Sequence, residues 1–196
     1  MKTYLFADSH FNQGNIATYC QRPENFTELI QSAWNRTVAP GDVVIHLGDV
    51  GIGDLSEIRR IIDGLNGRKV LVRGNHDRKH SNTWWMEKGG FDFSCDSMMF
   101  RHCFLTHEPY PSPYLPKYAE LNVHGHLHNI WHGFHTNASV DPLEEAEMKK
   151  YHRLRYRWQR LFACEYTKYA PVEMEKFLSH PDKYFAKGIP DEDSKQ

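Results

Sequence analysis

The chain has 196 residues, of which 40% are hydrophobic and 25% charged, and its formal net charge at pH 7 is −1. These values are typical of one soluble globular domain, and they exclude a general electrostatic attraction to nucleic acid or to an acidic membrane surface. No apolar run approaches the roughly 18 residues of a membrane-spanning helix, and Asp8 comes too early for a secretory signal. We therefore expect a cytoplasmic protein with no membrane partner, whose scattered cysteines are free thiols.

The first half of the chain alternates short apolar runs with amphipathic segments. The predicted elements are strands over 2–7, 43–47 and 69–74, and helices over 14–20, 26–38 and 55–65. This order of strand, helix and strand is typical of an α/β layer with crossover connections.

The second half predicts a different arrangement. Short strand-like runs with tight connections suggest a meander, and they cover 91–95, 97–102 and 103–107. After a proline-rich loop, we expect a strand over 121–125, a helix over 141–160, a strand over 161–166 and a helix over 171–178. Without repeats or linkers, the sequence predicts one domain over 1–180, with a helical insertion at about 133–160 and a polar tail over 181–196.

Aspartate, asparagine and histidine side chains follow directly after the predicted strands. They are Asp8, His10, Asp49, Asn75, His76, His107, His126 and His128. The carboxyl ends of strands converge on one edge of an α/β fold, so we expect these residues to form one ligand site. Carboxylate, amide and imidazole groups suit Mn, Fe, Zn, Co or Ni. So many candidate ligands exceed the needs of one tetrahedral ion and suit two ions that share a bridging carboxylate.

Short blocks of the sequence carry a family resemblance, namely DSH (8–10), GDVG (48–51), GNHD (74–77), THEP (106–109) and GHLH (125–128). In order and spacing they resemble the calcineurin-like metallophosphoesterases. The stretch DSHFNQGNIATYCQRP (8–23) is similar to a small bacterial and phage branch of that family. The resemblance covers most of residues 1–128, and it implies a four-layer α/β/β/α sandwich with two mixed sheets flanked by helices.

The resemblance also implies roles for individual residues. Two metal-binding sets would share Asp49 as a bridge, the first completed by Asp8, His10 and His128, and the second by Asn75, His107 and His126. His76 would face the phosphate and assist the leaving oxygen, with Asp77 as its catalytic neighbour. Arg22 is a candidate to hold a substrate phosphate, and a surface arginine that caps the preceding helix is an equal alternative. We expect His46 and His124 to be packed or to support the ligands.

The resemblance implies hydrolysis of a phosphoester by a metal-bridging hydroxide between two divalent or transition metal ions. Our first choice of substrate is a small phosphodiester, of nucleotide type or generic, because the chain is short and carries no added specificity domain. The alternatives are a nuclease acting on polymeric DNA or RNA, a phosphomonoesterase, and a non-catalytic scaffold. The basic and aromatic residues of 149–160 could bind nucleic acid, although a solvated helix would show the same composition. The scaffold is disfavoured because His76 and every ligand position are present. The oligomeric state is not predicted.

Overall fold

The computed structural model describes residues 1–110, 115–129 and 159–179. The strands within these residues are β1 (Thr3–Phe6), β2 (Val43–His46), β3 (Arg68–Val72), β4 (Phe93–Cys95), β5 (Met98–Phe100), β6 (Cys103–Leu105), β7 (Leu121–His124), β8 (Gln159–Leu161) and β9 (Val172–Glu173). The helices are α1 (Gly14–Tyr19), α2 (Phe26–Thr37), α3 (Leu55–Asp63), α4 (Asn82–Glu87) and α5 (Met174–Ser179). None of these described helices is long and apolar enough to cross a membrane.

The strands form two mixed sheets. The first has the order β4-β3-β2-β1-β9, in which β1 to β4 run parallel and β9 runs antiparallel to β1. The second has the order β5-β6-β7-β8, in which β5 and β6 form an antiparallel pair and the other neighbours run parallel. Parallel strands buried on both faces explain why β1, β2 and β3 appear in the sequence as nearly continuous apolar runs.

A core of aromatic and aliphatic side chains joins the sheets and helices. The Phe6 ring of β1 lies 5.2 Å from the Trp34 ring of α2 and 6.1 Å from the Phe162 ring that follows β8. Helical spacing puts Phe26, Ile30 and Trp34 on the buried face of α2. Complete burial of a large apolar side chain stabilises a fold by about 1.5–3 kcal/mol. The core therefore holds the strand ends in fixed positions.

The predicted meander is wrong. Strand β4 leaves the neighbouring runs and joins the first sheet beside β3, where Arg73 N donates to Cys95 O (2.8 Å) and Asp92 N donates to Lys69 O (2.9 Å). The short helix α4, capped by Ser81 Oγ accepting from Trp84 N, makes the crossover that a parallel pair requires. Of the three runs, only β5 and β6 pair as a hairpin. On its other side, β6 pairs in parallel with β7.

The last predicted elements are shifted. The strand expected over 161–166 is β8, which ends at Leu161, and the helix expected over 171–178 begins at Met174. Val172 and Glu173 instead pair with Leu5 and Tyr4 at the edge of the first sheet. Arg160 belongs to β8, so the predicted helix does not reach it. The rest of that helix, most of the 133–160 insertion and of the basic segment, and the 181–196 tail lie outside the described residues, so the domain bounds stay a prediction.

Candidate metal centre

The loops that follow five strands meet at one edge of the two sheets. Backbone hydrogen bonds join them, since Asp8 N donates to Gly48 O (2.9 Å), His10 N donates to Asp49 O (3.0 Å) and Gly125 N donates to His107 O (2.9 Å). The structure thereby brings together all the predicted ligands, with Asp8 and His10 after β1, Asp49 after β2, Asn75 after β3, His107 after β6, and His126 and His128 after β7.

These residues adopt an uncommon backbone conformation. Left-handed φ values occur at Asp8 (56°), His10 (47°), Asp49 (57°), His126 (71°) and His128 (47°). The left-handed conformation costs a residue with a Cβ roughly 1–2 kcal/mol of stability, and residues that adopt it concentrate at functional sites. The loops therefore carry strain at the same residues whose side chains converge.

In the first set of side chains, two imidazoles face the Asp8 carboxylate. Asp8 Oδ1 lies 4.0 Å from His10 Nε2 and 3.9 Å from His128 Nε2. His10 Nδ1 lies 2.6 Å from Gln13 Oε1, which can only accept, so Nδ1 carries the proton and Nε2 carries the lone pair. His10 Nε2 is buried and has no hydrogen-bond partner among the described residues. A buried lone pair beside a carboxylate fits a cation.

In the second set of side chains, acceptor atoms face one another. His107 Nδ1 donates to Leu47 O (2.7 Å), so the neutral ring directs its Nε2 lone pair towards the cluster. This nitrogen lies 2.9 Å from Asn75 Oδ1, 3.1 Å from His126 Nδ1 and 3.3 Å from Asp49 Oδ2. At these distances, either a proton on one of the ring nitrogens or a metal ion between the groups can join them.

The electrostatics of the two sets favour cation binding. Burial alone would lower the pKa of His107, but the hydrogen bond and charge of Asp49 outweigh it and raise that pKa to about 9. Burial likewise opposes ionisation of Asp49, whose pKa is nevertheless held below its usual value by His107 and His10. Burial raises the pKa of Asp8 to about 6, and it lowers the pKa of His126 to about 3, aided by His107. At neutral pH, Asp8 and Asp49 are ionised and His126 is neutral, as metal ligands must be. His107, and His128 whose pKa is raised well above its usual value by Asp8 despite burial, must each lose a proton before they can bind an ion.

Glycines let the backbone lie directly against the carboxylates. A Cβ added at Gly125 would stand 2.6 Å from Asp8 Oδ2, and one at Gly74 would overlap Asp49 Oδ1 and stand 2.6 Å from Asp49 N. Gly48 has φ +93°, and a Cβ there would meet Gly74 N at 2.5 Å. The close approach of neighbouring atoms at these turns therefore requires glycine.

His76 and Asp77 are neighbours in the chain but differ in exposure. The His76 side chain is 33% exposed, and its Nε2 is 3.8 Å from Asp49 Oδ2. Asp77 is buried, and its Oδ2 accepts from Asp49 N (2.7 Å) and Gly74 N (2.8 Å) while Oδ1 accepts from Val50 N (3.0 Å). The open position of His76 suits contact with a substrate. The contacts of Asp77 suit a positioning role in which it fixes the loops that carry the ligands.

Arg22 lies beneath the cluster. Its side chain has no exposed surface and forms an ion pair with Glu165, which is 5% exposed, at 2.6 Å. It also donates to Asp8 O (2.7 Å) and Ser9 O (3.0 Å). The surface-cap alternative for Arg22 is therefore wrong, and its guanidinium has no exposed surface with which to meet a phosphate. Glu165 was not predicted, because the sequence around it carries no motif.

The packed histidines also support the loops. Gly48 N donates to His46 Nδ1 (3.1 Å), so His46 Nε2 carries the proton and donates to Ser9 Oγ (2.9 Å). His124 is buried at the end of β7, with Nδ1 2.9 Å from Gly125 O. Neither ring belongs to the four groups of side chains that are spaced to hold a metal ion among the described residues.

Comparison with known proteins gives the family. The model of the calcineurin-like phosphoesterases matches residues 1–191. The chain belongs to this family. This confirms the resemblance read from the sequence blocks and, together with the two mixed sheets and their helices, the metallophosphoesterase fold class. Calcineurin-like phosphoesterases typically bind divalent metals, and the groups around Asp8 and Asp49 could hold such ions.

Two individual relatives are also similar to this calcineurin-like phosphoesterase. The uncharacterized protein MJ1445 of Methanocaldococcus jannaschii is 33% identical over 133 residues, which are 65% of this chain and 69% of that protein. The crystal structure of the protein of unknown function AQ665 from Aquifex aeolicus has a TM-score of 0.60 at 23% identity, and the match covers 91% of this chain and 98% of that one. The second likeness concerns the fold alone.

Proposed function

We propose that this calcineurin-like phosphoesterase is a dinuclear metal-dependent phosphodiesterase that acts on a small diester, of nucleotide type or generic. The observation that supports it is the convergence of acceptor atoms on Asp49. His107 Nε2, His10 Nε2 and His76 Nε2 lie 3.3, 3.7 and 3.8 Å from Asp49 Oδ2. One carboxylate oxygen thus stands between both ligand sets and the open side of the cluster.

The two sets provide the ligands that two ions require. Asp8, His10 and His128 would hold one ion, Asn75, His107 and His126 would hold the other, and Asp49 would bridge them. The oxygen and nitrogen donors suit Mn, Fe, Zn, Ni or Co. When bound, such a pair neutralises charge on the phosphoryl oxygens and lowers the pKa of water, so that a nucleophile is available near neutral pH.

His76 would serve the leaving group. Its side chain is 33% exposed, and the His76 backbone N–H donates to Asp49 Oδ1 (3.1 Å), which fixes the residue beside Asp49. A histidine in this position can hydrogen-bond the departing oxygen or give it a proton. Such assistance contributes about 10²–10⁴-fold to a rate.

Charge balance around the site supports a diester over a monoester. The arginines on the segments that carry the ligands are all paired, Arg22 with Glu165, Arg73 with Asp96 and Arg78 with Glu108. A monoester dianion requires more positive charge than a diester monoanion. These three ion pairs add no net positive charge to that of the metal ions.

The test is reconstitution of the metal-free protein, separately, with Mn²⁺, Fe²⁺, Zn²⁺, Ni²⁺ and Co²⁺. Metal content is measured by mass spectrometry, and hydrolysis is followed on bis(p-nitrophenyl) phosphate, p-nitrophenyl phosphate, cyclic nucleotides and single-stranded DNA and RNA. We expect two ions per chain and a higher kcat/KM for the small diesters than for the monoester or the polymers.

Two variants test whether metal binding and activity depend on the proposed site. Asp49→Asn is expected to lose metal and activity together, whereas His102→Asn is the matched control, because His102 is exposed and asparagine tolerates its φ of 61°. The proposal fails if the fully metal-loaded protein hydrolyses none of the substrates. A higher kcat/KM for the monoester or for the polymers would replace the diesterase with one of those activities.

A further inference from the structure

We propose that Glu165, held in place by Arg22, is a positioning residue that fixes the orientation and tautomer of His128 for the first metal ion. The inference rests on the metal centre proposed above and deepens it. Glu165 lies on the segment after β8, outside every sequence block that carries the family resemblance.

The contact between the two side chains is buried and direct. Glu165 Oε1 lies 3.2 Å from His128 Nδ1, and the two side chains are 5% and 7% exposed. The same oxygen accepts from Arg22 Nε (2.9 Å) and Nη2 (2.6 Å). An ionised carboxylate can only accept, so its contact with His128 requires a proton on Nδ1. In the neutral ring, Nε2, which faces Asp8 at 3.9 Å, is then the nitrogen that carries the lone pair for a metal ion.

A competing contact makes Glu165 necessary. Arg22 Nη2 lies 3.3 Å from His128 Nδ1, and a donor there would favour the opposite tautomer, with the proton on Nε2 and no lone pair for a metal. Nη2 carries two hydrogens, and its two shortest contacts are Glu165 Oε1 (2.6 Å) and Asp8 O (2.7 Å). These acceptors take both hydrogens, which leaves Nδ1 free to donate to Glu165.

The same geometry decides against a third metal site. Cys20, His128 and Glu165 present ligand atoms within 4.8 Å of one another, which is compatible with a metal ion by distance alone. However, the Arg22 guanidinium already lies 2.6 Å from the Glu165 carboxylate and 3.3 Å from His128 Nδ1. A fixed cation in this position repels a second one, so the group acts as support for the first ion.

The support is confined to the first ligand set. Arg22 holds Asp8 and Ser9 through their carbonyls, and Glu165 holds His128, while neither side chain forms a hydrogen bond or ion pair with Asn75 or His107. Loss of Glu165 should therefore lower the affinity for the first ion and leave the affinity for the second unchanged. Groups that hold a metal-binding histidine from behind typically contribute 10–100-fold to metal affinity.

The experiment compares the full-length wild type with Glu165→Gln and with the double variant Arg22→Gln/Glu165→Gln, which leaves no unpaired buried charge if the single variant folds poorly. Mn²⁺ affinities and stoichiometry are measured by calorimetry and mass spectrometry. Long-range ¹H–¹⁵N spectra of histidine-labelled protein report the His128 tautomer, with the signal assigned from His128→Gln. Glu175→Gln, which breaks the exposed pair with Arg101, is the matched control.

We expect the wild type to bind two ions. In both Glu165 variants, the affinity for the first ion should fall by approximately 10–100-fold, and the affinity for the second should not change. The His128 ring should shift away from the Nδ1–H tautomer. Equal affinities and an unchanged tautomer in these variants would overturn the role of Glu165 while leaving the metal centre intact. A wild type that binds no metal would instead overturn the proposed function. Three ions in the wild type, reduced to two by Cys20→Ser, would assign the group as a metal site and refute the positioning role.

Discussion

Substitution of Gly74 by alanine tests the position of the bridging carboxylate. A Cβ at this position would overlap Asp49 Oδ1 and stand 2.6 Å from Asp49 N and 2.8 Å from Asp49 Cγ, whereas real Cβ atoms essentially never approach within 3.0 Å. The φ of Gly74 is outside the left-handed region, so the methyl group is the only perturbation. The carboxylate must therefore move by about 1 Å, a displacement that costs on the order of 10²-fold in rate when it affects catalytic geometry.

The expected result for Gly74→Ala is a roughly 100-fold lower kcat/KM on a diester substrate and fewer than two metal ions per chain. Overpacking of this kind destabilises by about 1–3 kcal/mol, which corresponds to a decrease in Tm of about 2–4 °C for each kcal/mol. Metal content, steady-state kinetics and scanning calorimetry measure the three effects. Gly14→Ala and Gly41→Ala are the controls, because a Cβ at either position would meet nothing within 4 Å.

The reasoning is refuted if Gly74→Ala binds two ions and turns over substrate as the wild type does. Loss of stability without loss of metal would show that the loop moves while the Asp49 carboxylate keeps its position. Equal losses in the two control variants would indicate that the added methyl group acts through general stability, and the contact with Asp49 would then explain nothing.

Three further outcomes follow from the site. His76→Ala should lower kcat by about 10²–10⁴-fold with metal content unchanged, because the two proposed ligand sets do not include His76. Loss of an ion would instead make His76 a ligand, since its ring is spaced to hold a metal ion together with His10 and Asp49. Asp77→Asn should lower the free energy of unfolding in urea by about 3 kcal/mol or more, because an amide cannot accept all three backbone N–H bonds. The raised pKa of His107 stabilises the metal-free fold fully below its unfolded pKa of 6.5, and this contribution is lost as pH rises through about 9. The Tm of the metal-free protein should therefore fall between these pH values, and a flat profile would contradict that pKa.

Much of the fold was predictable because its signals are local. Strands β1, β2 and β3 and helices α2 and α3 match the predicted segments to within a few residues, since their apolar spacing records burial directly. The parts that were wrong depend on long-range pairing. Strand β9 has two residues and exists only through its partners in β1, and β4 takes its place beside β3 through hydrogen bonds that no local pattern records.

The candidate site divides in the same way. Glycines at strand ends pointed to Asp49, Asn75 and His126, because the turn and the ligand occupy adjacent positions in the chain. Their metal-binding role stays a prediction. The sequence did not reveal the pair of Arg22 and Glu165, since 143 positions separate them and a buried ion pair has no spacing rule.

Two buried carboxylates, Asp77 and Glu165, hold the ligands of the site in place. Asp77 accepts backbone N–H groups, including that of Asp49, and so fixes the bridge. Glu165 accepts from the Arg22 guanidinium and fixes His128. Backbone donors hold one of these carboxylates and a buried arginine holds the other, so neither support is itself a ligand in the proposed sets. Metal binding requires loss of a proton at His107 and at His128, both of whose pKa values are raised by neighbouring carboxylates. The geometry of the centre is therefore a property of its supports as much as of its ligands.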